Sequence, residues 1–418
     1  MTLIKTIFSY SAANIINAAV PFFLLPILTA YLNPEEFGVL SLVQLLFTLS
    51  LPFVLMNIHG LFMIEYSKLS FDEFKSFVSS MILIPFFAFI IIQFLFFIFS
   101  NNLSILFNIP EKWVILSPIV VLAQSIPTMI PVLFQAKKQP INYGIFKITL
   151  TVVNLGLSLF LIVTLSQGLD GRLYGIFYSY ILFTVVGFFI LFKLDLLSLS
   201  VSFTHIKNAL KFGIPLVPHT LAGIFLSMSD RIFLSNMLGN ESVGIYSVAF
   251  QLSSAILIIM TSINQAWIPH LYEKLNSNPT IEEKRKIVIQ SYKIIGIMAI
   301  ITVIFIVTIS IIYQIFIDER YYDGINISRL LAIGFMFQGF YFMVTNYIFY
   351  MKRSSLLSMI TISSAIVIMS LNYILIPIYG VYGSTYAMVI GYFIWFSLTF
   401  YFSSKVYRMP WLDSIIKK

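Results

Sequence analysis

The 418-residue chain contains no cysteine, and only 10% of its residues are charged. The absence of cysteine excludes disulfides, thiolate metal ligands and cysteine nucleophiles. A soluble globular protein carries about 25% charged residues, so this chain has too few to cover a water-soluble globule. Enzyme motifs are also missing: there is no GxxxxGK[ST] phosphate loop and no Gly-x-Ser-x-Gly turn, and the four histidines show no metal-ligand spacing. We therefore expect no enzyme, no cofactor and no metal site.

Apolar residues make up 59% of the chain, and the mean hydropathy is +0.95. A membrane-spanning helix needs about 20 mostly apolar residues. Twelve segments meet that requirement, which predicts an all-α integral membrane protein. The first apolar stretch, Ile7 to Ala30, is too long for the apolar part of a typical signal peptide, so we expect it to remain as span 1. The predicted spans are 8–31, 38–60, 76–100, 113–135, 142–166, 173–193, 211–237, 243–267, 288–316, 328–350, 355–377 and 381–404.

The distribution of Lys and Arg predicts the orientation, because cytoplasmic loops of membrane proteins are enriched in them. Nineteen lie on the side of the N-terminus and four on the other side, namely Lys112, Arg172, Arg320 and Arg329. Both termini are therefore predicted to be cytoplasmic. The net charge of +8 is explained by these loops, so we expect no nucleic-acid partner. The nineteen are Lys5, Lys68, Lys75, Lys137, Lys138, Lys193, Lys207, Lys211, Lys274, Lys284, Arg285, Lys286, Lys293, Lys352, Arg353, Lys405, Arg408, Lys417 and Lys418.

An internal repeat divides the chain. Residues 32–41 (LNPEEFGVLS) align with residues 238–247 (LGNESVGIYS) at an offset of 206. A short dibasic loop follows spans 4 and 10, with QAKK at 135–138 against YMKR at 350–353, and spans 6 and 12 share a Tyr-Gly step at their starts, Tyr174-Gly175 and Tyr382-Gly383. The repeat predicts two six-helix bundles related by a pseudo-two-fold axis along the membrane normal. The predicted domains are 1–195, a cytoplasmic linker 196–210, 211–404, and a cytoplasmic tail 405–418.

Lys147 lies within span 5, and an ionisable residue at membrane depth is a candidate functional residue. Thr151, Asn154 and Ser158 follow it on the same helix face. This polar stripe predicts a face that looks into the protein, with Lys147 as a substrate-binding cation and with Thr151 and Asn154 lining a pathway. The alternative is that Lys147 extends to the cytoplasmic surface and has no binding role.

Span 7 carries the adjacent pair Asp230 and Arg231. Arg231 would offer a fixed positive charge and bidentate donors to a phosphate. Asp230 shares a face with His219 and Ser227, so Asp230 and His219 are candidates for charge balance or proton coupling, and Ser227 for pathway lining. The alternative is a local ion pair that holds the helix to a neighbour.

Neutral polar stripes occur on three more spans, where Asn14, Asn17, Gln44 and Gln338 are candidates for lining the pathway. Hydrogen bonding between helices is the more frequent role of such residues.

The sequence around span 7 resembles a known family. It reads LKFGIPLVP at 210–218, SDRIFL at 229–234 and LGNESVGIYSVA at 238–249. These motifs resemble the polysaccharide-biosynthesis flippases, the Wzx-type O-antigen or repeat-unit transporters of the multidrug/oligosaccharidyl-lipid/polysaccharide exporter superfamily. The resemblance covers essentially the whole chain. It implies a V-shaped, MATE-like pair of bundles in the bacterial inner membrane, around a central and often cationic cavity.

The resemblance also implies the substrate, an undecaprenyl-diphosphate-linked oligosaccharide turned from the inner to the outer leaflet. Membrane lipids, and a polymerase and chain-length proteins, are the implied partners. Lys147 and Arg231 would compensate the diphosphate charge. Three alternatives stay open: a multidrug antiporter of the same superfamily, a lipid II flippase, which usually has two extra helices, and a membrane-embedded polymerase, which would need a large outer loop.

Overall fold

The computed structural model describes the backbone of residues 3–411 and the side chains of residues 14, 17–353 and 355–411. Within that part the chain forms sixteen α-helices and no strand. The helices are α1 (Leu3–Tyr31), α2 (Pro34–Leu55), α3 (Leu61–Glu65), α4 (Phe71–Ile98), α5 (Ser100–Phe107), α6 (Glu111–Ala136), α7 (Pro140–Leu159), α8 (Gly168–Lys193), α9 (Phe203–Gly213), α10 (Leu216–Met228), α11 (Asp230–Leu238), α12 (Asn240–Asn276), α13 (Ile281–Phe316), α14 (Gly324–Tyr350), α15 (Ser354–Tyr379) and α16 (Val381–Val406).

Eleven helical segments in the described residues are long and apolar enough to cross a membrane. The described part of the first predicted span, Asn17–Tyr31, adds a shorter apolar helix. The apolar stretch of α13 has a mean hydropathy of 2.9, and only 17% of that stretch is buried, as expected for a helix that faces lipid. The predicted class is confirmed: an all-helical, multi-pass membrane protein of about twelve spans in two bundles.

Capping motifs determine where three of the long helices begin. The side chains of the N-cap residues Asn33, Ser70 and Thr280 each accept a hydrogen bond from the backbone N–H three residues on, and the glutamate side chain at that position accepts one from the backbone N–H of the N-cap residue. These boxes satisfy N–H groups that a helix N-terminus otherwise leaves unpaired. Helix α2 therefore begins at Pro34, ahead of the start predicted at 38.

The predicted span 211–237 is confirmed in part: the apolar helical segment runs over Phe203–Met228, made of α9 and α10 with a kink between them, and α11 follows it. Pro215 has no N–H to continue the helix, and the chain turns there between α9 and α10. A second interruption falls at Ser229. Helix α9 begins at Phe203, so part of the predicted linker 196–210 is helical.

The chain forms two compact units, Met1–Ile224 and Phe225–Lys418. In unit 1 a cluster of aromatic rings joins α3 to α4, with the Phe62 and Phe77 ring centroids 5.5 Å apart. In unit 2, Tyr341 of α14 stacks on Trp395 of α16 with centroids 3.8 Å apart. The division falls inside α10, whereas the sequence predicts it near residues 196–210, and those predicted domain limits stay a prediction.

The repeat is visible in matching helix starts. Helix α2 begins at Pro34 and α12 at Asn240, which keeps the predicted offset of 206. The paired serines at the end of the motif, Ser41 and Ser247, are both buried. The two copies of the motif therefore occupy equivalent positions, each at the start of the second span of its half.

The turns after α6 and α14 also match. Lys138 and Lys352 both adopt the left-handed conformation, with φ of 54° and 57°. In each turn this residue donates its N–H to the carbonyl three residues back, and the next residue donates to the carbonyl five back, which is a Schellman motif. The structural match therefore pairs Lys138 with Lys352, one residue away from the register QAKK against YMKR.

Two glycines allow close helix approach at the third repeat position. A Cβ on Gly175 of α8 would overlap Ser158 of α7, and a Cβ on Gly383 of α16 would overlap the carbonyl of Leu375 on α15. In both halves the Tyr-Gly step thus permits the last two spans to pack backbone against backbone.

The predicted tail begins packed against unit 2. Trp411 is buried, and its carbonyl accepts a hydrogen bond of 2.8 Å from the hydroxyl of Tyr292 on α13. Its ring also meets Tyr347 of α14, with centroids 5.9 Å apart. The rest of the tail, including Lys417 and Lys418, lies outside the described residues.

Candidate functional site

Polar side chains of α1, α7 and α8 form a column inside unit 1, which we call the polar column: Asn14, Asn17, Tyr143, Lys147, Thr151, Asn154, Ser158, Arg172 and Ser179. Helix α7 supplies its central face, because residues three and four apart lie above one another on a helix. The structure thus brings the predicted stripe on span 5 together with the predicted asparagines on span 1.

Lys147 lies at one end of the polar column. Its Nζ donates to Asn14 Oδ1 at 3.0 Å and to the Tyr143 hydroxyl at 3.2 Å, and it lies 5.2 Å from the centre of the Tyr143 ring. Tyr143 in turn donates to Asn14 Oδ1 at 2.7 Å. Lys147 is half-buried, and it forms no ion pair among the described residues. Its positive charge is solvated by neutral oxygens only.

Thr151 continues the polar column by one turn. Its hydroxyl forms a hydrogen bond with Asn17 Oδ1 and also bonds to the carbonyl of Lys147. This contact joins α7 to α1 at a second level above the Asn14–Lys147 contact. Helix-to-helix hydrogen bonding therefore occupies the asparagines of span 1 in this conformation.

Arg172 of α8 lies at the other end of the polar column. Its Nη1 donates to Asn154 Oδ1 at 2.7 Å and to Ser158 Oγ at 2.6 Å. Asn154 also donates to Ser179 Oγ at 2.9 Å. The Nε of Arg172 is buried and has no hydrogen-bond partner among the described residues. The distribution of Lys and Arg placed Arg172 in a loop on the side of the membrane opposite the N-terminus. In the structure its guanidinium packs against the polar stripe of α7.

A cavity of about 310 Å³ opens beside Lys147 within unit 1. It is lined by α6, α7 and α8, and the polar residues of its α6 wall are Gln124, Thr128 and Gln135. Tyr143, Lys147 and Leu150 form the α7 wall. The cavity therefore places the Lys147 ammonium, which has no acidic partner among the described residues, next to several neutral donors and acceptors.

The Asp230–Arg231 pair lies in unit 2 and is buried, with 5% and 4% of the two residues exposed. Arg231 Nη1 donates to Asp230 Oδ1 at 3.1 Å, and the guanidinium stacks on the Phe250 ring of α12 with Cζ 4.5 Å from its centre. The Tyr246 hydroxyl donates to Asp230 Oδ2 at 2.5 Å. Both charges are thus compensated, and two aromatic residues of α12 cover them.

This geometry matches the alternative interpretation of Asp230 and Arg231, a local ion pair that holds the helix to a neighbour. A buried pair of this kind stabilises a helix contact only while both partners are present. The substrate-binding role of Arg231 and the coupling role of Asp230 stay predictions.

The remaining candidates lie on helices other than those that form the polar column. His219 is exposed on α10, and Ser227, near the end of α10, accepts an Arg231 contact at its carbonyl. Gln44 is half-buried on α2. Gln338 on α14 has a buried Oε1 without a hydrogen-bond partner among the described residues. Their pathway-lining roles also stay predictions.

Sequence reasoning missed Arg172 and Tyr143 as members of the site. A signal for Arg172 was present, since it lies three residues before Gly175, and a glycine at a close helix contact lets a neighbouring long side chain reach across to the facing helix. Tyr143 lies four residues before Lys147, on the same face of α7.

Comparison with known proteins gives the family. Residues 3–274 match the family model described as "Polysaccharide biosynthesis protein", which is well over half of the chain. Protein 1 of the Lsg locus of Haemophilus influenzae is 26% identical, over 94% of this chain and 98% of that protein. An uncharacterized membrane protein of the same organism is 24% identical, over 88% of this chain and 89% of its own length.

Solved structures of similar fold include transporters and a flippase. The lipid II flippase MurJ in an inward closed conformation superimposes with a TM-score of 0.72 at 15% identity, over 97% of this chain and 90% of that one. An inward-facing multidrug resistance MATE family transporter of the MOP superfamily gives 0.69 at 14% identity, over 93% and 94%. At such identities the likeness shows the fold. Together with the family match it confirms the resemblance seen in the sequence: the chain belongs to the polysaccharide-biosynthesis flippase family.

Proposed function

We propose that the protein turns an undecaprenyl-diphosphate-linked oligosaccharide from the cytoplasmic to the outer leaflet of the bacterial inner membrane by alternating access, with both termini cytoplasmic. The observation that carries the proposal is the polar column of unit 1. It has a cation at each end, Lys147 and Arg172, and neither forms an ion pair among the described residues.

The chemistry of the substrate matches such a column. A diphosphate cannot enter hydrocarbon unaided, because the desolvation of an isolated ion is prohibitive. An ammonium or guanidinium that is not already neutralised by a carboxylate can compensate its charge at little cost to the protein. Neutral groups between the two cations, such as those of Thr151 and Asn154, can exchange their hydrogen bonds for sugar hydroxyls.

The spacing of the two cations supports successive contacts. Lys147 and Asn154, the acceptor for Arg172, are seven residues apart on α7, which corresponds to roughly 10 Å along the axis. Lys147 is nearer the predicted cytoplasmic end. We assign the first contact with the diphosphate to Lys147 and a later one to Arg172. Arg231, which is neutralised by Asp230, contributes less than predicted from the sequence.

Alanine variants test the assignment. In a strain lacking the native gene, Lys147→Ala and Arg172→Ala should each lower export of the surface polysaccharide by about tenfold or more, the effect expected for one charge-assisted hydrogen bond. Lipid-linked repeat units should accumulate in the inner leaflet. Lys193→Ala, at the exposed end of the same helix as Arg172, is the matched control. Full export by the Lys147→Ala/Arg172→Ala double variant at normal protein level would overturn the proposal.

We further propose that an ion gradient drives the cycle. In inverted vesicles loaded with lipid-linked repeat units, collapse of both the proton and the sodium gradients should stop flipping. Undiminished flipping would show a downhill process instead. Drug resistance conferred by the chain, without an effect on polysaccharide, would favour the antiporter alternative.

A further inference from the structure

Unit 2 contains a basic cleft, formed by residues that come much later in the chain than those of the polar column. It has a volume of about 530 Å³ and opens where the α14–α15 turn meets the end of α16. Its polar walls include Arg353, Ser355 and Lys405, and its apolar walls include Leu356 and Met359. Helices α14, α15 and α16 are apolar spans, and the cleft lies at their ends. We therefore place the cleft at the depth of lipid headgroups.

The two cations of the cleft have no acidic partner. No Asp or Glu lines the cleft, and among the described residues neither Arg353 nor Lys405 forms an ion pair. Lys405 is instead positioned by Tyr401 one turn earlier, whose ring centre lies 4.3 Å from the ammonium. A cation held over an aromatic ring has fewer rotamers to lose when it binds an anion.

The start of α15 adds to the positive potential. Its N-cap residue is Arg353, which forms no side-chain capping hydrogen bond. The first N–H groups of a helix carry a partial positive charge, and they attract phosphate. Arg353 therefore places a full positive charge where the helix already presents a partial one.

The apolar side of the cleft is exposed at the protein surface. Met359 is 56% exposed and Met351, at the rim, is 41% exposed. A free phosphate would leave this apolar surface uncovered, whereas an acyl chain would cover it. Two cations with an adjoining apolar groove thus match a lipid that carries both an anionic headgroup and a hydrocarbon chain.

We propose that this cleft binds an anionic glycerophospholipid of the predicted cytoplasmic leaflet, with its phosphate between Arg353 and Lys405 and an acyl chain along Leu356 and Met359. The bound lipid fastens the α14–α15 turn to the end of α16. The site does not depend on the proposed flipping substrate, and no residue of the polar column takes part in it.

Native mass spectrometry of the full-length protein in mild detergent tests the proposal, with dioleoyl phosphatidylglycerol as the probe. The Arg353→Gln/Lys405→Gln variant should bind it roughly 25-fold more weakly, about fivefold for each cation lost. Lys286→Gln/Lys293→Gln is the matched control, because it removes two exposed α13 cations with the same change in net charge. Dioleoyl phosphatidylcholine should bind weakly to all three proteins.

Competition distinguishes the sources of the phosphate. Inorganic phosphate at millimolar concentration should fail to displace the phosphatidylglycerol, since it offers no acyl chain. Efficient displacement would overturn the lipid assignment in favour of a simple anion site. Equal lipid binding by the cleft variant and the α13 control would overturn the site itself.

Discussion

Arg172 of α8 and Asn154 of α7 are joined by a hydrogen bond of 2.7 Å, from Nη1 to Oδ1, across a helix contact that a glycine makes possible. Arg172 lies near the start of α8, and this contact places its guanidinium against the interior face of α7. The amide nitrogen of Asn154 also donates to Ser179 Oγ, so two residues of α8, Arg172 and Ser179, hold the Asn154 side chain in place.

Replacing Gly175 by Ala should weaken that contact. The added methyl group would overlap Ser158, so α8 must move away from α7, and we expect a loss of about 1–3 kcal/mol in the free energy of unfolding. Gly156→Ala on α7 is the control, because open space surrounds a Cβ there and alanine favours the helix. Thermal unfolding in detergent compares the two; a Gly175→Ala variant as stable as Gly156→Ala would contradict the close packing.

The Asn17–Thr151 hydrogen bond should show a measurable coupling energy. Asn17→Leu, Thr151→Val and the double variant form a thermodynamic cycle, and we expect coupling of roughly 0.5–1.5 kcal/mol, the range for polar contacts between membrane helices. Thr149→Val provides a control on the exposed side of the same helix. Additive single effects within error would show that the contact contributes no coupling.

Asp230→Asn should destabilise unit 2 strongly. It removes the charge that compensates the buried Arg231, which costs about 3–5 kcal/mol for a broken buried pair. Asp230→Leu/Arg231→Met, which removes both charges, should recover most of the folded yield, measured by size-exclusion chromatography in detergent. If the double variant folds and exports polysaccharide, the pair is structural. If it folds but does not export, the coupling role predicted for Asp230 gains support.

Acidification should destabilise the turn after α2. His59 lies beyond the end of α2 at Leu55, and burial lowers the pKa of its imidazole. The folded state therefore favours the neutral ring, so stability is fully present above the unfolded pKa of roughly 6.5 and falls as the pH drops below it. His59→Gln should flatten the dependence of the unfolding temperature between pH 7.5 and 5.5. An unchanged slope in that variant would assign the dependence to another group.

Hydropathy and charge were enough to predict the helical class and its spans, because burial in lipid requires long apolar helices whatever their tertiary partners are. The polar stripe with Lys147 was also predictable, since helical periodicity alone places those residues on one face. Helix ends were less predictable. The start of α2 follows from the Asn33 capping box, and the kink at Pro215 follows from its missing N–H. A hydropathy average depends on residue polarity alone and takes account of neither.

Residues whose neighbours come from distant helices could not be assigned. The burial of the Asp230–Arg231 pair depends on Tyr246 and Phe250 of α12, and the position of Arg172 depends on the approach of α8 to α7. A charge near the end of a span looks the same in the sequence whether it points into a loop or into the protein.

The matching turns at Lys138 and Lys352 provide a pair of equivalent attachment points. The chain has no cysteine, so two cysteines introduced at these positions are the only thiols and can be spin-labelled without further changes. Because the backbone hydrogen bonds are the same in both turns, the two labels have comparable local motion. Their separation, measured by pulsed electron resonance in nanodiscs with and without an ion gradient, would show whether the two halves of the protein move relative to one another.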